Sequence, residues 1–589
     1  MARKLGAVHV VRVRKSHVDR QGNRRDYSSA YLRRTFRDGG KVRNETVANL
    51  SALPAHVIDW VEAGLKGHSL VPADQAATVT RSMPHGHVAA VWAQAAALDL
   101  PGLLGPAGRQ RDLATALIIA RVVHPASKLA TASWWDDTTL GADLDVAGAS
   151  TDETYAAMDW LLGRQDAIET KLAKRHLAPE VNPHRMALFD LSSSWVEGRH
   201  CPLAKRGYSR DGKKNRPQIE YGLLTDPEGR PVAIKVFPGN TADPTAFIDA
   251  VKIVRDRFTL TQTVLVGDRG MITSARIDAL RADSDSDLGW LTALRAPAIK
   301  TLAAAGGPLQ PTLFDQHNLA EITHPDYPGE RLIACRNPFL ADERARKRGE
   351  LLAATEDLLA PIVAAVTAGR LHGADRIGLK VGQLINTYKM AKHLQVTITD
   401  TTLEVTRKHD QIAAEAALDG IYVLRTTVPD HTLDPAGVVG AYKNLANVER
   451  DFRSIKVDDL DLRPIYHRLE DRVRAHVLIA MLAAYLVWHL RKTLAPLTFT
   501  DEHPPHRTDP VAPATRSAAA TRKASRRTND SGQPARSLRT LLDHLATLTR
   551  NDIRYGGADG PVVTALAVPT QTQRRAFELL HTAIPLNLK

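Results

Sequence analysis

The chain has almost no cysteine, no long apolar run and none of the common nucleotide-binding motifs. Two cysteines, Cys201 and Cys335, occur in 589 residues, with no paired motif and no zinc spacing. That excludes a disulfide framework and fits a reducing compartment. The most apolar stretch is Val477 to Trp488, between His476 and His489. It falls short of the ~20 residues a bilayer requires, so a core helix is expected there and no membrane partner. Met1-Ala2-Arg3-Lys4 opens the sequence without an apolar segment, so no secretory leader is expected. There is no P-loop, dinucleotide fingerprint or internal repeat. No Gly-x-Ser-x-Gly elbow surrounds Ser192, Ser193 or Ser194, which leaves a serine hydrolase little support.

What is present is positive charge. The formal net charge is +13, and most of it lies at one end. The first 43 residues hold thirteen Lys or Arg against three Asp. Within them Tyr31-Leu32-Arg33-Arg34-Thr35-Phe36 reads as a strand and Arg37-Asp38-Gly39-Gly40-Lys41 as its turn into a hairpin. A basic β-rich module with interleaved aromatic residues suits a phosphate backbone, with Arg33 and Arg34 as contacts. A second basic run, Lys205, Arg206, Arg210, Lys213, Lys214 and Arg216, lies further on. A chain this long exceeds one core and is expected to form several domains.

Acids stand at telling places. His184 to Asp190 and Thr263 to Asp268 are short apolar runs, each closed by an aspartate. Such runs read as buried strands, and chemistry collects at strand carboxyl ends. Between them, Ile219 to Leu224 and Val232 to Phe237 alternate about the turn Asp226-Pro227-Glu228-Gly229, a hairpin. A helix starts at Asp243-Pro244, and a further helix (Ala275 to Leu280) and strand (Leu288 to Leu294) follow Asp268. A third acid, Glu449, sits between Tyr442 and Lys456 at intervals of seven. Asp434-Pro435 starts a helix. If that helix is continuous, all three side chains share a face. A carboxylate there can hold a cation while a phenol and an ammonium grip phosphate oxygens.

Taken in this order, the motifs resemble those of bacterial insertion-sequence DDE transposases, in particular the IS-four-like superfamily with a Y-x2-R-x3-E-x6-K signature. The resemblance rests on Phe189-Asp190, Gly207-Tyr208-Ser209-Arg210-Asp211, Gly239-Asn240-Thr241-Ala242-Asp243, Asp268-Arg269-Gly270, Asp419 to Thr426, and Tyr442, Glu449 and Lys456. It runs from about residue 1 to 500. The arginine of the signature is Leu445 here. Arg453, four residues after Glu449, is the expected substitute.

The resemblance implies an α/β, ribonuclease-H-like core with a mixed five-stranded sheet, interrupted by an insertion. The expected domains are a basic β-rich N-terminal domain (1–75) and a helical DNA-binding or dimerisation domain (76–180). The core would come in two parts (181–300 and 431–500) around an insertion (301–430). A disordered linker (501–536) and a helical tail (537–589) would follow. The insertion is expected to hold a charged helix near Ala341 to Leu359 and a strand near Leu394 to Thr399. The implied chemistry is DNA cleavage and strand transfer at terminal inverted repeats, by a homodimer in the cytoplasm at the nucleoid. Two Mg²⁺ or Mn²⁺ ions would sit on Asp190, Asp268 and Glu449. Tyr442, Lys456, Arg453 and Arg269 would contact DNA near the cut, beside Lys205, Arg206, Arg210, Lys213 and Lys214. A hairpin intermediate would need a ring for a flipped base, for which Trp290 and Tyr388 are candidates. The alternatives are a structure-specific nuclease on the same fold, or a DNA-binding protein that has lost catalysis.

Overall fold

The computed structural model describes residues 6–18, 20–22, 24–68, 76–213, 215–260, 262–275, 277, 288–529, 531–556 and 559–589. Lys214 and most of the segment expected as a helix from Ala275 to Leu280 lie outside these. The chain separates into two units. One comprises Met1–Pro84 and Leu548–Pro569, the other His85–Thr547 and Thr570–Lys589.

The first unit holds an antiparallel sheet of β1 (Val8–Val18), β2 (Arg24–Asp38) and β3 (Lys41–Asn49). Gly39 and Gly40 both have positive φ, 55° and 79°, as a two-residue turn matched to strand twist requires. A small core of Ala30, Leu50 and Ile58 joins the sheet to the helix Ala55–Leu65. The unit also holds β4 (Ala77–Pro84), which pairs with the strand Thr549–Tyr555, itself paired with Val562–Leu566. This corrects two expected boundaries. The segment from 76 begins with a strand before its helices, and the tail contributes two strands and is not simply helical.

The second unit is built on one mixed sheet. Its strands are β5 (Met186–Trp195), β6 (Gln218–Thr225), β7 (Pro231–Pro238), β8 (Val264–Val266), β9 (Gly289–Ala293), β10 (Leu319–Ile322), β11 (Arg331–Arg336) and β14 (Ile421–Thr426). Their spatial order is β10-β11-β14-β9-β8-β5-β6-β7. β8 runs parallel to β5 and β9, and the remaining pairs are antiparallel. Every residue of β6 is buried, which happens where both faces of a strand are covered. Gly222 on β6 leaves room for the Phe189 ring, which a Cβ would meet at 2.5 Å.

Eight strands replace the expected five, because three come from the segment assigned to the insertion. β10, β11 and β14 extend the sheet beyond β9 and bury a cluster around Leu332, Ala334 and Val423. The insertion proper is shorter. It comprises the long helix Pro338–Thr367, the helix Ala374–Leu384, the hairpin of β12 (Leu394–Ile398) and β13 (Leu403–Arg407), and the helix His409–Ala416, with a core of its own.

The apolar stretch forms the buried helix Glu470–Thr493. Among the described residues it alone is long and apolar enough to cross a membrane. The described part of 501–536 is ordered, contrary to expectation. Asp501 accepts hydrogen bonds from the Ser517 backbone and hydroxyl, at 2.8 and 2.7 Å, at the start of the helix Ala518–Arg526. Lys523 donates to Glu502 and to the carbonyls of Ala495 and Thr500. Its Pro, Ala and Ser content resembles that of a free linker, but its polar side chains are tied to backbone.

Candidate active site

Neighbouring parallel strands bring the first two acids together. Leu188 on β5 pairs with Val266 on β8. Asp190 and Asp268 each lie two residues beyond that pair, so both reach the same edge of the sheet. Asp190 is mid-strand, because β5 continues to Trp195. The continuation buries Ser192, Ser193 and Ser194. Ser194 shares a 3.0 Å hydrogen bond with the Tyr221 hydroxyl, and Ser193 accepts one from the Arg210 backbone.

Glu449 arrives from a broken helix. Asp434 caps the helix Pro435–Lys443 by accepting from Gly437 at 2.7 Å. The chain breaks at Asn444, continues as the helix Leu445–Arg453 and then widens into a π turn, Ser454–Asp458. The break re-aims the faces. Tyr442, Leu445, Ala446 and Glu449 line one cleft with Asp190, Asp268 and Arg269. Lys456, expected on that face, does not. It is buried, with its ammonium 2.9 Å from Asp211, which also pairs with Arg463.

The cleft has a volume of about 570 Å³. Its charge is unbalanced. Burial first, then the nearby Asp268 and Glu449, push the Asp190 carboxyl up to about 7, against the pull of the Leu191 N–H and Arg210. Burial and the same three acids raise the Tyr442 phenol, with Arg269 opposing. Tyr442 therefore stays a hydrogen-bond donor facing three carboxylates. Among the described residues no three acid, His or Cys side chains converge tightly enough to clasp an ion. Like charges in one cleft repel, which is reason enough for them to stand apart. The donor set is nonetheless all carboxylate oxygen, the chemistry that hard divalent cations take.

Behind the cleft, Arg210 is committed to acids. It bonds to Asp243 at 2.5 Å and stands 3.5 Å from Glu220, whose carboxyl burial pushes up to about 7. Lys205, Arg206 and Lys213 are exposed, with Lys213 over the Trp195 ring. Arg453 is exposed. Arg33 lies over Tyr31, and Arg34 is 3.5 Å from Glu45. Trp290 is buried in β9, while Tyr388 is 39% exposed. Asp451, two residues from Glu449, is buried against Asp226 and the Arg491 side of the helix, and burial raises it to about 8. It faces away from the cleft.

Other cleft residues were not singled out in the sequence. Arg344 and Asn337 come from the insertion helix and its cap. Lys443 also lines the cleft, and its ammonium donates to the carbonyls of Pro510, Val511 and Ala512 at 2.6 to 2.9 Å. Their sequence distance from the acids hides them.

The transposase DDE domain family model matches residues 189–486, about half the chain and the whole span from Asp190 to Glu449. The chain belongs to the DDE transposase family. It is a DNA transposase, a metal-dependent enzyme of DNA phosphoryl transfer that uses divalent cations. No curated protein matches it. Among solved structures, it is similar to the piggyBac transposase synaptic complex with hairpin DNA, at 9% identity and a TM-score of 0.31, over 74% of this chain and 70% of that one. It is also similar to the Mos1 transposase paired-end complex with the left transposon end, at 13% identity and a TM-score of 0.14, over 34% and 62%. Likenesses that distant carry no detail of the site.

Proposed function

We propose that this transposase cuts and joins DNA at the terminal inverted repeats of its own element, with Asp190, Asp268 and Glu449 as its catalytic carboxylates on a ribonuclease-H-like core. One observation carries the reading. Three acids from three separate elements face one cleft, and their mutual repulsion and burial raise Asp190 to about 7. A fold keeps such a costly arrangement where positive charge is to be bound.

The three carboxylates would hold two Mg²⁺ or Mn²⁺ ions. Bound there, such ions supply a Lewis acid against charge building on the phosphate and activate the attacking hydroxyl. The protein's own groups position the DNA. Tyr442 donates its hydroxyl hydrogen toward a phosphate oxygen near the cut, and Arg269 balances phosphate charge at the mouth. Arg453 and the exposed Lys205, Arg206 and Lys213 extend this outward. Arg33 and Arg34 on the basic sheet bind the repeat. Lys456 acts at one remove, by anchoring the turn after Glu449. A homodimer pairing two ends at the nucleoid, and a hairpin route for the second strand, complete the proposal. Tyr388 is then the better ring for a flipped base, since Trp290 is buried.

The experiment is cleavage of duplexes carrying the inverted repeats that flank the reading frame. Mg²⁺ or Mn²⁺ should support cutting at the repeat ends, and Ca²⁺ should support binding alone. Robust cutting in excess EDTA would refute the carboxylate assignment. Cutting without regard to the repeats would favour a structure-specific nuclease.

A further inference from the structure

The cleft does not end at the carboxylates. A second cavity of about 740 Å³ continues from it, and the two share Arg269, Ala296, Ile299, Arg344 and Ile421. One wall is the helix Ala296–Leu302, and the other is the start of the long insertion helix Pro338–Thr367. On that helix Arg344, Lys347, Arg348 and Leu351 line the cavity. Their spacing of three, four and seven places them on one helical face.

The cations of this groove fall into two groups. Arg348 bonds to Asp419, and Lys392 to Glu415 at 2.5 Å, so these acids are already matched. Lys300, Arg344 and Lys347 are exposed, and among the described residues none has an ion-pair or hydrogen-bond partner. The Arg269 guanidinium, at the junction with the cleft, has no ion pair there either. Four unmatched cations thus run outward from the three acids.

We propose that this groove takes the sugar–phosphate backbone of the DNA strand that runs on from the scissile phosphate. The proposal rests on the transposase reading of the cleft. Continuity decides the occupant, since a chain that presents one phosphate to Asp190, Asp268 and Glu449 must leave past Arg269. Its following phosphates then meet Lys300, Arg344 and Lys347, which have no acid of their own to release. The insertion is thereby a wall of the DNA path and not an ornament on the core.

Two measurements test this. The first is the salt dependence of binding of repeat-bearing duplex by wild type and by the combined Lys300→Ala, Arg344→Ala and Lys347→Ala variant. Loss of three phosphate contacts should make the slope of log affinity against log salt shallower by about 2 to 3, at roughly 0.9 per contact. The variant should melt like wild type, since all three side chains are exposed. An unchanged slope overturns the proposal. The second is disulfide tethering from a Lys347→Cys variant to thiol-bearing DNA, which is selective because Cys201 and Cys335 are both buried. Crosslinks should cluster on one strand, within a few nucleotides of the cut. Crosslinks scattered along both strands also overturn it. Failure of the wild type to bind or cut the repeats would instead defeat the reading of the cleft, and the groove with it.

Discussion

Two groups of acids lie on either side of β5, and they are treated in opposite ways. Behind it, Asp211 is gripped by Lys456 and Arg463, all three largely out of water. In front, Asp190, Asp268 and Glu449 face one another with Arg269 at the edge. The first group is closed, each charge answered within the fold. The second is open, its negative charge left for something that binds. Pairing separates an acid that holds the structure from one that performs chemistry, although both kinds sit in motifs that look equally familial in the sequence.

The largest effect should come from opening the cleft further. Glu449→Ala removes a carboxylate but little apolar surface. End cleavage should fall by about 10³-fold or more, equivalent to roughly 4 kcal/mol of lost transition-state stabilisation. Repeat binding should persist, and the melting temperature should hold or rise as repulsion is relieved. Near-full cleavage by this variant would break the comparison, and Asp451 could not inherit the role because it faces away.

Next comes the closed cluster. Asp211→Ala leaves Lys456 and Arg463 crowded without their acid. Removing one partner of a buried pair costs about 3 kcal/mol or more, so the loss should appear in denaturant unfolding. Lys456→Ala should cost a similar amount, and the double variant less than the sum of the two. If Lys456→Ala instead left stability intact and weakened only end binding, the lysine would belong to the cleft as its sequence position implied.

That position shows how far the sequence could be read. The acids were legible because each closes an apolar run or sits at helical spacing, and neighbouring strands do the rest. Tyr442 was legible for the same reason. Lys456 was not, because the seven-residue interval assumed an unbroken helix. The break at Asn444 and the π turn after Arg453 rotate it out of the cleft. Arg210 looked like a DNA contact in a basic run, but Asp243 and Glu220 claim it. The three outer strands were assigned to the insertion because a long excursion, Asn337 to Gly420, separates β11 from its partner β14. The segment 501–536 has the composition of a linker, and nothing in it announces that Lys443 binds its carbonyls.

A third, smaller effect sharpens the contrast. Divalent cation should stabilise the wild type by mass action, about 2.7 kcal/mol at a hundredfold excess over Kd. Asp190→Asn should lose most of this gain, while Asp211→Ala, though less stable, should keep it. A melting shift by Mg²⁺ that survived in Asp190→Asn would show that the cation binds elsewhere.

The smallest effect concerns protons in the cation-free protein. Asp190 is raised from the ordinary carboxyl range to about 7, mainly by burial and then by Asp268 and Glu449. Between about pH 4 and 7 the folded chain therefore holds a proton that the unfolded chain has released. Stability must then fall as pH rises across that window. Asp190→Asn lacks the titration, so the melting temperature of wild type should drop relative to that variant from pH 5 to pH 8 and level off above. The carboxylate is partly exposed, so the total is on the order of 2 kcal/mol, below the full value of the shift. Saturating Mg²⁺ should flatten the difference, because a liganded carboxylate stays ionised. In a Glu449→Ala background the drop should begin at lower pH, since one of the charges that raise Asp190 is gone. Parallel melting curves for wild type and Asp190→Asn would mean that the cleft is no more open than the Asp211 cluster behind it.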